Sequence, residues 1–267
     1  MNQLTIVKAG GKVVEEPELL KALLKDFSLI AGHKIFVHGG GRLATRIAEK
    51  LGIESQMNEG RRITDAETLK VVTMVYAGLI NKNIVAQMQA LSLDAIGLTG
   101  ADMNLMLSMK RQVKDIDYGY VGDVKETNAP VLNELLNQNF VPVIAPITHD
   151  GYGQLLNTNA DTIAGEIAKA LAYSFNVRLI YCFEKKGVLR DEKDEDSVIK
   201  SIDKEEFNRY KETGIIKDGM IPKLENAFNA IAAGVKEVII TCASDVNTGR
   251  GTFIVPEREY KNERIKK

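Results

Sequence analysis

The sequence predicts an α/β protein, a three-layer αβα sandwich in which helices cover both faces of a central, mainly parallel sheet. Short apolar runs, each followed by a segment with helical periodicity, recur along the 267 residues, and this alternation is typical of such sheets. Hydrophobic residues make up 45% of the chain, which is enough for a substantial buried core.

The elements follow from the spacing of apolar residues. Strands are predicted at residues 4–8, 34–38, 95–98, 141–147, 178–183 and 237–241. Helices are predicted at residues 16–27, 43–51, 66–91, 129–137, 161–173 and 223–233. Polar alternation at residues 103–114 and 118–124 predicts an antiparallel hairpin that forms a lid or rim beside the main sheet, and the charged segments 191–196 and 261–267 are predicted to be solvated.

The charge balance limits the partners that the chain can have. Lys and Arg total 35 against 36 Asp and Glu, so no global basic field favours nucleic acid or an anionic membrane, and small molecules are the expected partners. The apolar run at the start of the chain is too short for a signal sequence. No later stretch approaches the ~18 apolar residues of a membrane span. We therefore expect a cytoplasmic protein. Cys182 and Cys242 lie in apolar runs and are predicted to be buried free thiols, with no metal site.

A lysine and two glycines follow the first predicted strand, in residues 6–11 (IVKAGG). Ligands of parallel sheets bind at the carboxyl ends of the strands, and glycines let backbone N–H groups approach an anion closely. Lys8, Gly10 and Gly11 are therefore candidate phosphate-binding residues. A lone glycine-rich turn is weak evidence, because the same residues fit a surface lysine before an ordinary turn.

Three consecutive glycines, Gly39, Gly40 and Gly41, follow the second predicted strand and begin a helix. The first N–H groups of a helix have no partner within it, so they form a ready anion site. Turn geometry alone does not explain three glycines at one strand end, so this turn is a candidate anion site. His38 precedes them, and we interpret it as a hydrogen-bonded structural residue with no role in proton transfer.

Residues 60–65 (GRRITD) form a polar stretch before the predicted helix 66–91. Thr64 or Asp65 is the expected N-cap of that helix. Arg62 has the donor geometry to bind a carboxylate through two parallel hydrogen bonds, although an arginine in a polar stretch is also compatible with simple solvation.

Residues 157–161 (NTNAD) begin a helix after the fourth predicted strand. Asp161 fits a capping role, but two asparagines and an aspartate exceed what a cap requires. Farther along, residues 218–223 (DGMIPK) combine a turn at Gly219 with a proline suited to a first helical turn and with Lys223 near a helix start.

Together these pieces predict a small-molecule kinase without a Walker motif. A transferring phosphoryl group spreads its charge over three oxygens, and two lysines with a set of free backbone N–H groups would hold and neutralise it. Each piece is weak alone, whereas their joint occurrence is a strong signal.

The same pieces resemble those of the amino-acid kinase family, which has a carbamate kinase-like fold, and within it those of the N-acetylglutamate kinases. The resemblance covers nearly the whole chain in family order. It rests on residues 8–11 (KAGG), 38–41 (HGGG), 60–65 (GRRITD), 119–124 (GYVGDV), 142–146 (PVIAP), 157–161 (NTNAD) and 219–223 (GMIPK). The arginine after a glycine and the two asparagines favour this branch over aspartate or uridylate kinases, which share the fold and the lysines.

The resemblance implies catalytic roles for three residues. Lys8 and Lys223 match the lysines that stabilise the transferring phosphoryl group, and Asp161 matches the aspartate that holds both lysines in position. The implied phosphate and ATP contacts are Gly10, Gly11, Gly219 and Lys223.

It also implies how the amino-acid substrate binds. Gly40 and Gly41, with Gly11, match amide donors to the phosphoryl group and to the substrate γ-carboxylate. Arg62 matches the arginine on the α-carboxylate, and Asn157 matches the asparagine that binds the acylamino acid.

The implied architecture has two lobes, residues 1–175 for acylamino-acid binding and dimerisation and residues 176–267 for ATP. The implied cofactors are ATP and Mg²⁺, with the metal held mainly by phosphate oxygens and water, so no cluster of protein ligands is expected. The implied reaction is ATP-dependent phosphorylation of the γ-carboxylate of N-acetyl-L-glutamate in arginine biosynthesis. The alternatives are N-succinyl-L-glutamate or an aminoadipate-type N-acyl amino acid as substrate, and a catalytically silent binding or regulatory protein on the same fold.

Three places depart from the family's pattern. The family commonly has an aspartate after the strand in the nucleotide lobe, where residues 182–187 of this chain (CFEKKG) contain Glu184 instead. Residues 241–247 are shorter than the helical segment that the family usually has there. Arg61 stands where an apolar residue is usual. A second guanidinium in the substrate loop would favour an acyl group with an additional carboxylate, whereas a solvated Arg61 leaves the acetyl compound as substrate.

Family members that arginine inhibits carry an extra helix ahead of the first strand. Here the predicted strand begins within a few residues of Met1. The expected assembly is therefore a homodimer that arginine does not inhibit.

Overall fold

A computed structural model of the chain describes residues 1–58, 61–217 and 219–256. Gly60, Asp218 and the predicted solvated tail 261–267 lie outside the described residues. The helices are α1 (Gly11–Glu15), α2 (Pro17–Ser28), α3 (Gly41–Lys50), α4 (Ala66–Thr73), α5 (Asn81–Ala90), α6 (Ala129–Asn137), α7 (Ala160–Leu171), α8 (Lys204–Glu212) and α9 (Met220–Ala232). The strands are β1 (Asn2–Ala9), β2 (His33–His38), β3 (Met57–Asn58), β4 (Arg61–Arg62), β5 (Ala95–Leu98), β6 (Met106–Lys110), β7 (Gly122–Thr127), β8 (Val141–Ile144), β9 (Ile147–His149), β10 (Leu155–Asn157), β11 (Phe175–Phe183), β12 (Ser201–Ile202), β13 (Glu237–Cys242) and β14 (Thr252–Ile254).

The centre of the molecule is an eight-stranded sheet with the order β12-β14-β13-β11-β1-β2-β8-β5. Every neighbouring pair in it is parallel except β13 and β14. The predicted fold class is therefore confirmed. The central position of β1, between β11 and β2, places Lys8 near the middle of the carboxyl edge of the sheet.

Two hydrophobic clusters cover the two faces of this sheet. Leu4 and Ile6 of β1 belong to the cluster that contains the buried faces of α7 and α9. Val7 and Ala9 belong to the cluster formed with α2, α4 and α5. Successive side chains of a strand point to opposite faces, so β1 contributes apolar side chains to both clusters.

The predicted strand 141–147 is wrong in one respect, because it is two strands. β8 ends at Ile144 in the main sheet, whereas β9 begins at Ile147 in a second sheet of order β10-β9-β6-β7. Pro146 lies between them and has no N–H to donate to a ladder, so the main-sheet pairing stops there. The predicted hairpin is confirmed as the antiparallel pair β6 and β7, although its second strand begins at Gly122 rather than at Tyr118.

The predicted helix 66–91 is continuous from Ala66 to Ala90, but its middle, Met74–Ile80, is a π-helix. By length and composition alone this helix could cross a membrane. Leu69, Val72 and Ile84 are nevertheless buried in the cluster beside α2, so the helix forms part of the domain core.

His38 ends β2 and is fully buried. Its Nδ1–H donates to the carbonyl oxygen of Gly39 at 2.9 Å, and its Nε2 accepts from the side-chain amide of Asn81 at 3.2 Å. The Asn81 amide also donates to the carbonyl oxygen of Val143 on the neighbouring strand β8. Burial lowers the pKa of His38 to about 4, so the imidazole is neutral and links β2, the long helix and β8.

The neutral His38 predicts that acid destabilises the fold. Between pH 6.5 and about 4 the unfolded chain binds a proton at His38 that the folded chain refuses, so the free energy of unfolding falls as pH falls, by up to about 1.4 kcal/mol per pH unit from this residue. Urea unfolding of wild type and His38→Gln over this range measures it. His149→Gln, which removes a half-buried histidine elsewhere, is the control. Equal pH slopes for wild type and His38→Gln would contradict the assignment.

Candidate active site

The two glycine turns lie side by side because β1 and β2 are adjacent and parallel. A Cβ on Gly11 would stand 3.4 Å from the amide nitrogen of Gly40 and 3.6 Å from that of Gly41. α1 and α3 begin at these turns, at Gly11 and Gly41. The first amides of both helices therefore point into one small region at the carboxyl edge of the sheet.

The N–H groups of these turns divide into two sets. Those of Gly10 and Gly39 donate to the carbonyl oxygens of Cys182 (2.9 Å) and Ala9 (3.0 Å), and they tie the turns to neighbouring strands. Those of Gly11, Gly40 and Gly41 have no backbone acceptor among the described residues. The second set can donate to an anion, whereas the amide of Gly10 is already used.

Lys8, Asp161 and Lys223 form a buried triad. The Nζ atom of Lys8 lies 2.8 Å from Oδ1 of Asp161, and that of Lys223 lies 2.7 Å from Oδ2. Their side chains are 9%, 15% and 14% exposed. The sequence predicted that these three residues act together, and the structure brings them within ion-pair distance although they are far apart in the chain.

The charge state of the triad follows from its surroundings. Burial works against the charge of Asp161, but the attraction of Lys8 and then of Lys223 outweighs it and holds the pKa of Asp161 well below its usual range. Burial lowers the pKa of Lys8, with Asp161 opposing that effect. Asp161 is therefore an anion that offsets the repulsion between two desolvated lysines.

Hydrogen bonds from neighbouring elements fix the backbone of Asp161 at the start of α7. Asn159, not Asp161, caps α7, because its side chain accepts from the N–H groups of Asp161 and Thr162. The hydroxyl of Tyr181 on β11 donates to the carbonyl oxygen of Asp161 at 3.2 Å. Lys223 reaches the carboxylate from the first turn of α9, with its Nζ 5.8 Å and 5.9 Å from the ring centres of Tyr181 and Phe183. These aromatic faces favour a cation at that position.

Arg62 is buried rather than solvated, with 7% of the residue exposed. Its guanidinium donates to the hydroxyl of Ser55 (2.9 Å), the carbonyl oxygen of Gly41 (2.7 Å) and the hydroxyl of Thr45 (2.8 Å). These bonds fix the guanidinium beside the glycine turn and leave some of its five N–H groups for a ligand.

A cavity of about 220 Å³ lies among these groups, although Lys223 is not one of its lining residues. Lys8, Gly40, Gly41, Arg62 and Asn157 all line it, together with Asp161 and with the hairpin residues Arg111, Val121, Gly122 and Asp123. The predicted rim is thus a wall of the cavity.

Arg111 and Asp123 on this wall were not predicted as site residues. They form an ion pair across the hairpin, from the end of β6 to β7. The alternating pattern predicted the hairpin, but the pairing depends on the β6–β7 register, which the sequence alone does not specify.

Tyr76 is a second lining residue that sequence reasoning missed. It lies in the π-helical segment, with its ring against Gly40. A Cβ on Gly40 would stand 2.2 Å from Cδ1 of Ile80 and 3.3 Å from Cδ1 of Tyr76, which explains the glycine at this position. Burial raises the pKa of Tyr76, and the nearby Arg62 opposes this shift. An apolar helical period carries no signal for a π-turn, so the sequence did not indicate this side chain.

The region past the carboxyl end of β11 is more open. Glu184 lies 3.9 Å from the Nζ atom of Lys12, with both side chains partly exposed. Gly219 stands at the start of α9, directly before the turn that carries Lys223. Neither Gly10 nor Gly219 lines the cavity, in contrast to Gly11.

This arrangement suits transfer of a phosphoryl group between two anions. Two buried lysines supply positive charge, three free amides supply donors in fixed positions, and a held arginine supplies a carboxylate site a short distance away. Charge on a transferring phosphoryl group is stabilised by such preorganised donors, which need no reorganisation during reaction.

The chain belongs to the amino acid kinase family, whose model matches residues 3–242. The family that the sequence motifs predicted is therefore confirmed.

Within that family the chain is similar to proteins that are named acetylglutamate kinase. It is 66% identical over 252 residues to the acetylglutamate kinase of Phocaeicola vulgatus, covering 94% of this chain and 98% of that protein. It is 65% identical over 254 residues to the acetylglutamate kinase of Parabacteroides distasonis, covering 95% of this chain and 100% of that protein. Among solved structures, the smu.665 protein of Streptococcus mutans superposes with a TM-score of 0.78 at 27% identity, covering 94% of this chain and 98% of that chain.

Proposed function

We propose that this protein transfers the γ-phosphoryl group of ATP to the γ-carboxylate of N-acetyl-L-glutamate, giving N-acetylglutamyl 5-phosphate in arginine biosynthesis. The observation that carries the proposal is the triad in which Asp161 pairs with both Lys8 and Lys223, while Lys8 and Asp161 line one cavity with Gly11, Gly40 and Gly41. The names of the 65–66% identical relatives support the same reaction. A silent binding protein would have no need of two desolvated lysines, so the triad argues against that alternative.

The acceptor chemistry needs no general base. A glutamate γ-carboxylate has a pKa near ~4.3 and is ionised at neutral pH, so it attacks phosphorus without losing a proton. The difficulty is repulsion between an anion and a polyphosphate. Lys8 and Lys223 offset that repulsion, and the amides of Gly11, Gly40 and Gly41 hold the phosphoryl and carboxylate oxygens in line.

Recognition of the substrate follows from the other side of the cavity. Arg62 is held beside the glycine turn by three hydrogen bonds and is assigned to the α-carboxylate. Asn157 is assigned to the acylamino group. All residues that line the cavity lie between positions 8 and 162, which supports acylamino-acid binding by residues 1–175. Residues 176–267 are assigned to ATP.

ATP is the donor, and Mg²⁺ is its partner. Among the described residues no group of three His, Cys, Asp or Glu side chains is placed to hold a metal. Asp161 is committed to the two lysines and Asp123 to Arg111. These residues fit a Mg²⁺ ion held by phosphate oxygens and water, where it would neutralise charge between the phosphates. Such an enzyme acts in the cytoplasm, where ATP is available.

The central experiment is a coupled assay of ADP release with N-acetylglutamate, N-succinylglutamate, glutamate, aspartate and N-acetylaminoadipate. Lys8→Ala and Lys223→Ala are each expected to lower kcat by ~10²-fold or more with a smaller effect on KM, because their contacts strengthen in the transition state. Arg62→Ala is expected mainly to raise KM for the amino acid. Turnover of none of the five compounds would overturn the proposed function, and an Arg62→Ala variant with wild-type KM and kcat would overturn its assignment.

N-succinyl-L-glutamate is a second candidate substrate, and a specific observation favours it. A larger open cavity of about 790 Å³ adjoins the first, since Arg61, Arg111 and Asp123 line both. Lys114 also lines the outer cavity. Arg111 is already paired with Asp123, and Asp115 lines the same cavity. An acyl group that extends outwards from Asn157 would therefore meet Arg61 and Lys114, which a terminal carboxylate would suit better than a methyl group.

Arg61→Leu separates the two acyl groups. If Arg61 binds a succinyl carboxylate, the ratio of kcat/KM for N-succinylglutamate over N-acetylglutamate falls by about 10-fold or more in the variant, since a charge-assisted hydrogen bond contributes about 1.5 to 3 kcal/mol. Lys110→Leu, an exposed cation on the hairpin, is the control. An unchanged ratio in Arg61→Leu means that Arg61 does not read the acyl group.

The proposed assembly is a homodimer, and the π-helical segment supports it. Met74 and Leu79 are 56% and 47% exposed, on a helix whose other face is core, and a second copy would cover them. Light scattering is expected to give two copies for wild type and one for Leu79→Glu. Leu29→Glu, at a side chain 66% exposed elsewhere, is expected to leave two copies. A monomeric wild type would contradict the proposal.

A further inference from the structure

Thr64 lies between the two side chains assigned to the substrate and is fully buried. Its hydroxyl is 3.2 Å from the carbonyl oxygen of Arg62 and 3.0 Å from Nδ2 of Asn157. Its backbone is also fixed, because its N–H donates to the carbonyl oxygen of Tyr118 (3.0 Å) and its own carbonyl oxygen accepts from the N–H of Tyr120 (2.7 Å). The hydroxyl therefore has a set position between these two partners.

The single hydrogen of the Thr64 hydroxyl determines which way the side-chain amide of Asn157 is oriented. A hydroxyl has one hydrogen, and the carbonyl oxygen of Arg62 can only accept, so the Thr64 hydrogen lies on that bond. The lone pairs of the Thr64 oxygen then face Asn157 and require a donor. The NH₂ group of Asn157 must occupy that side, and its oxygen must occupy the other side. Such an orientation is set by the network of bonds around the amide.

The oxygen of Asn157 is thereby left for a ligand. The backbone N–H of Asn157 donates to the carbonyl oxygen of Tyr120 at 2.9 Å, which fixes where the side chain starts. Asn157 lines the cavity and is 8% exposed. Its Oδ1 has no hydrogen-bond partner among the described residues. A fixed acceptor in a cavity wall selects a ligand N–H.

We infer that Thr64 is a positioning residue that turns the Asn157 carboxamide so that its oxygen accepts the N–H of the substrate's acylamino group. The inference rests on the proposed function and adds to it the reason why an acylated amine is preferred. An ester oxygen in place of that N–H would face the Asn157 oxygen with two lone pairs opposed and no hydrogen between them. Buried polar groups left unpaired in this way give strong discrimination.

The experiment compares N-acetyl-L-glutamate with (S)-2-acetoxyglutarate, its ester analogue, by ADP release and by calorimetric binding. Wild type is expected to prefer the amide by ~10-fold or more in kcat/KM. In Thr64→Val the ratio of kcat/KM for the amide over the ester is expected to fall to within ~3-fold of 1. The change is expected in the KM values of the two compounds, while kcat changes by less than ~3-fold. Thr64→Ser retains the hydroxyl and is expected to restore the preference. Thr5→Val, which removes a buried threonine hydroxyl from β1 outside the cavity, is the matched control.

Each outcome separates this inference from the proposed function. Turnover of neither compound overturns the proposed function and the inference with it. Turnover of both compounds at equal kcat/KM by wild type leaves the function standing and overturns the Asn157 orientation, whatever the variants do. An unchanged amide preference in Thr64→Val, or in Thr64→Ala should the valine variant not fold, overturns the role of Thr64.

Discussion

The carboxylate of Asp161 is the constraint on which the rest of the site depends. The ammonium groups of Lys8 and Lys223 lie beside its two oxygens. Without that anion between them, the two cations would repel each other strongly in a buried site. With it, both lysines are held at one carboxylate, and that carboxylate lines the cavity together with the glycine turns. Each oxygen of the carboxylate serves one lysine, so the anion also fixes the spacing of the cations.

Three different elements of the fold supply the three charged side chains. Lys8 comes from the strand at the centre of the sheet, Asp161 from the first turn of α7 and Lys223 from the first turn of α9. Both helices pack on the same face of the sheet, in the cluster that contains Leu4 and Ile6. Packing of apolar side chains therefore sets the relative positions of the charges, and the ion pairs need little adjustment of their own.

The sequence predicted the parts of the site that local patterns encode. Apolar strands followed by glycines placed Lys8 and the Gly39–Gly41 turn at one edge, and the sheet order then brought them together. It did not predict Tyr76, because a π-turn changes which side chains face the core without changing the apolar pattern. It also left Thr64 as a possible helix cap, whereas Asp65 caps the helix and the Thr64 hydroxyl meets an asparagine 93 positions away. Contacts of that range depend on tertiary packing, which no local period records.

The triad also determines when during folding the site can exist. Asp161 and Lys223 are 62 positions apart, and Lys8 lies at the far end of the chain from Lys223, so both ion pairs close long loops. Long-range contacts carry the largest loop-closure cost. Partly folded chains consequently keep two lysines and an aspartate apart in water, where each is well hydrated. The desolvated cations appear only when the sheet, α7 and α9 are all in place, so the phosphoryl site exists only in the complete fold.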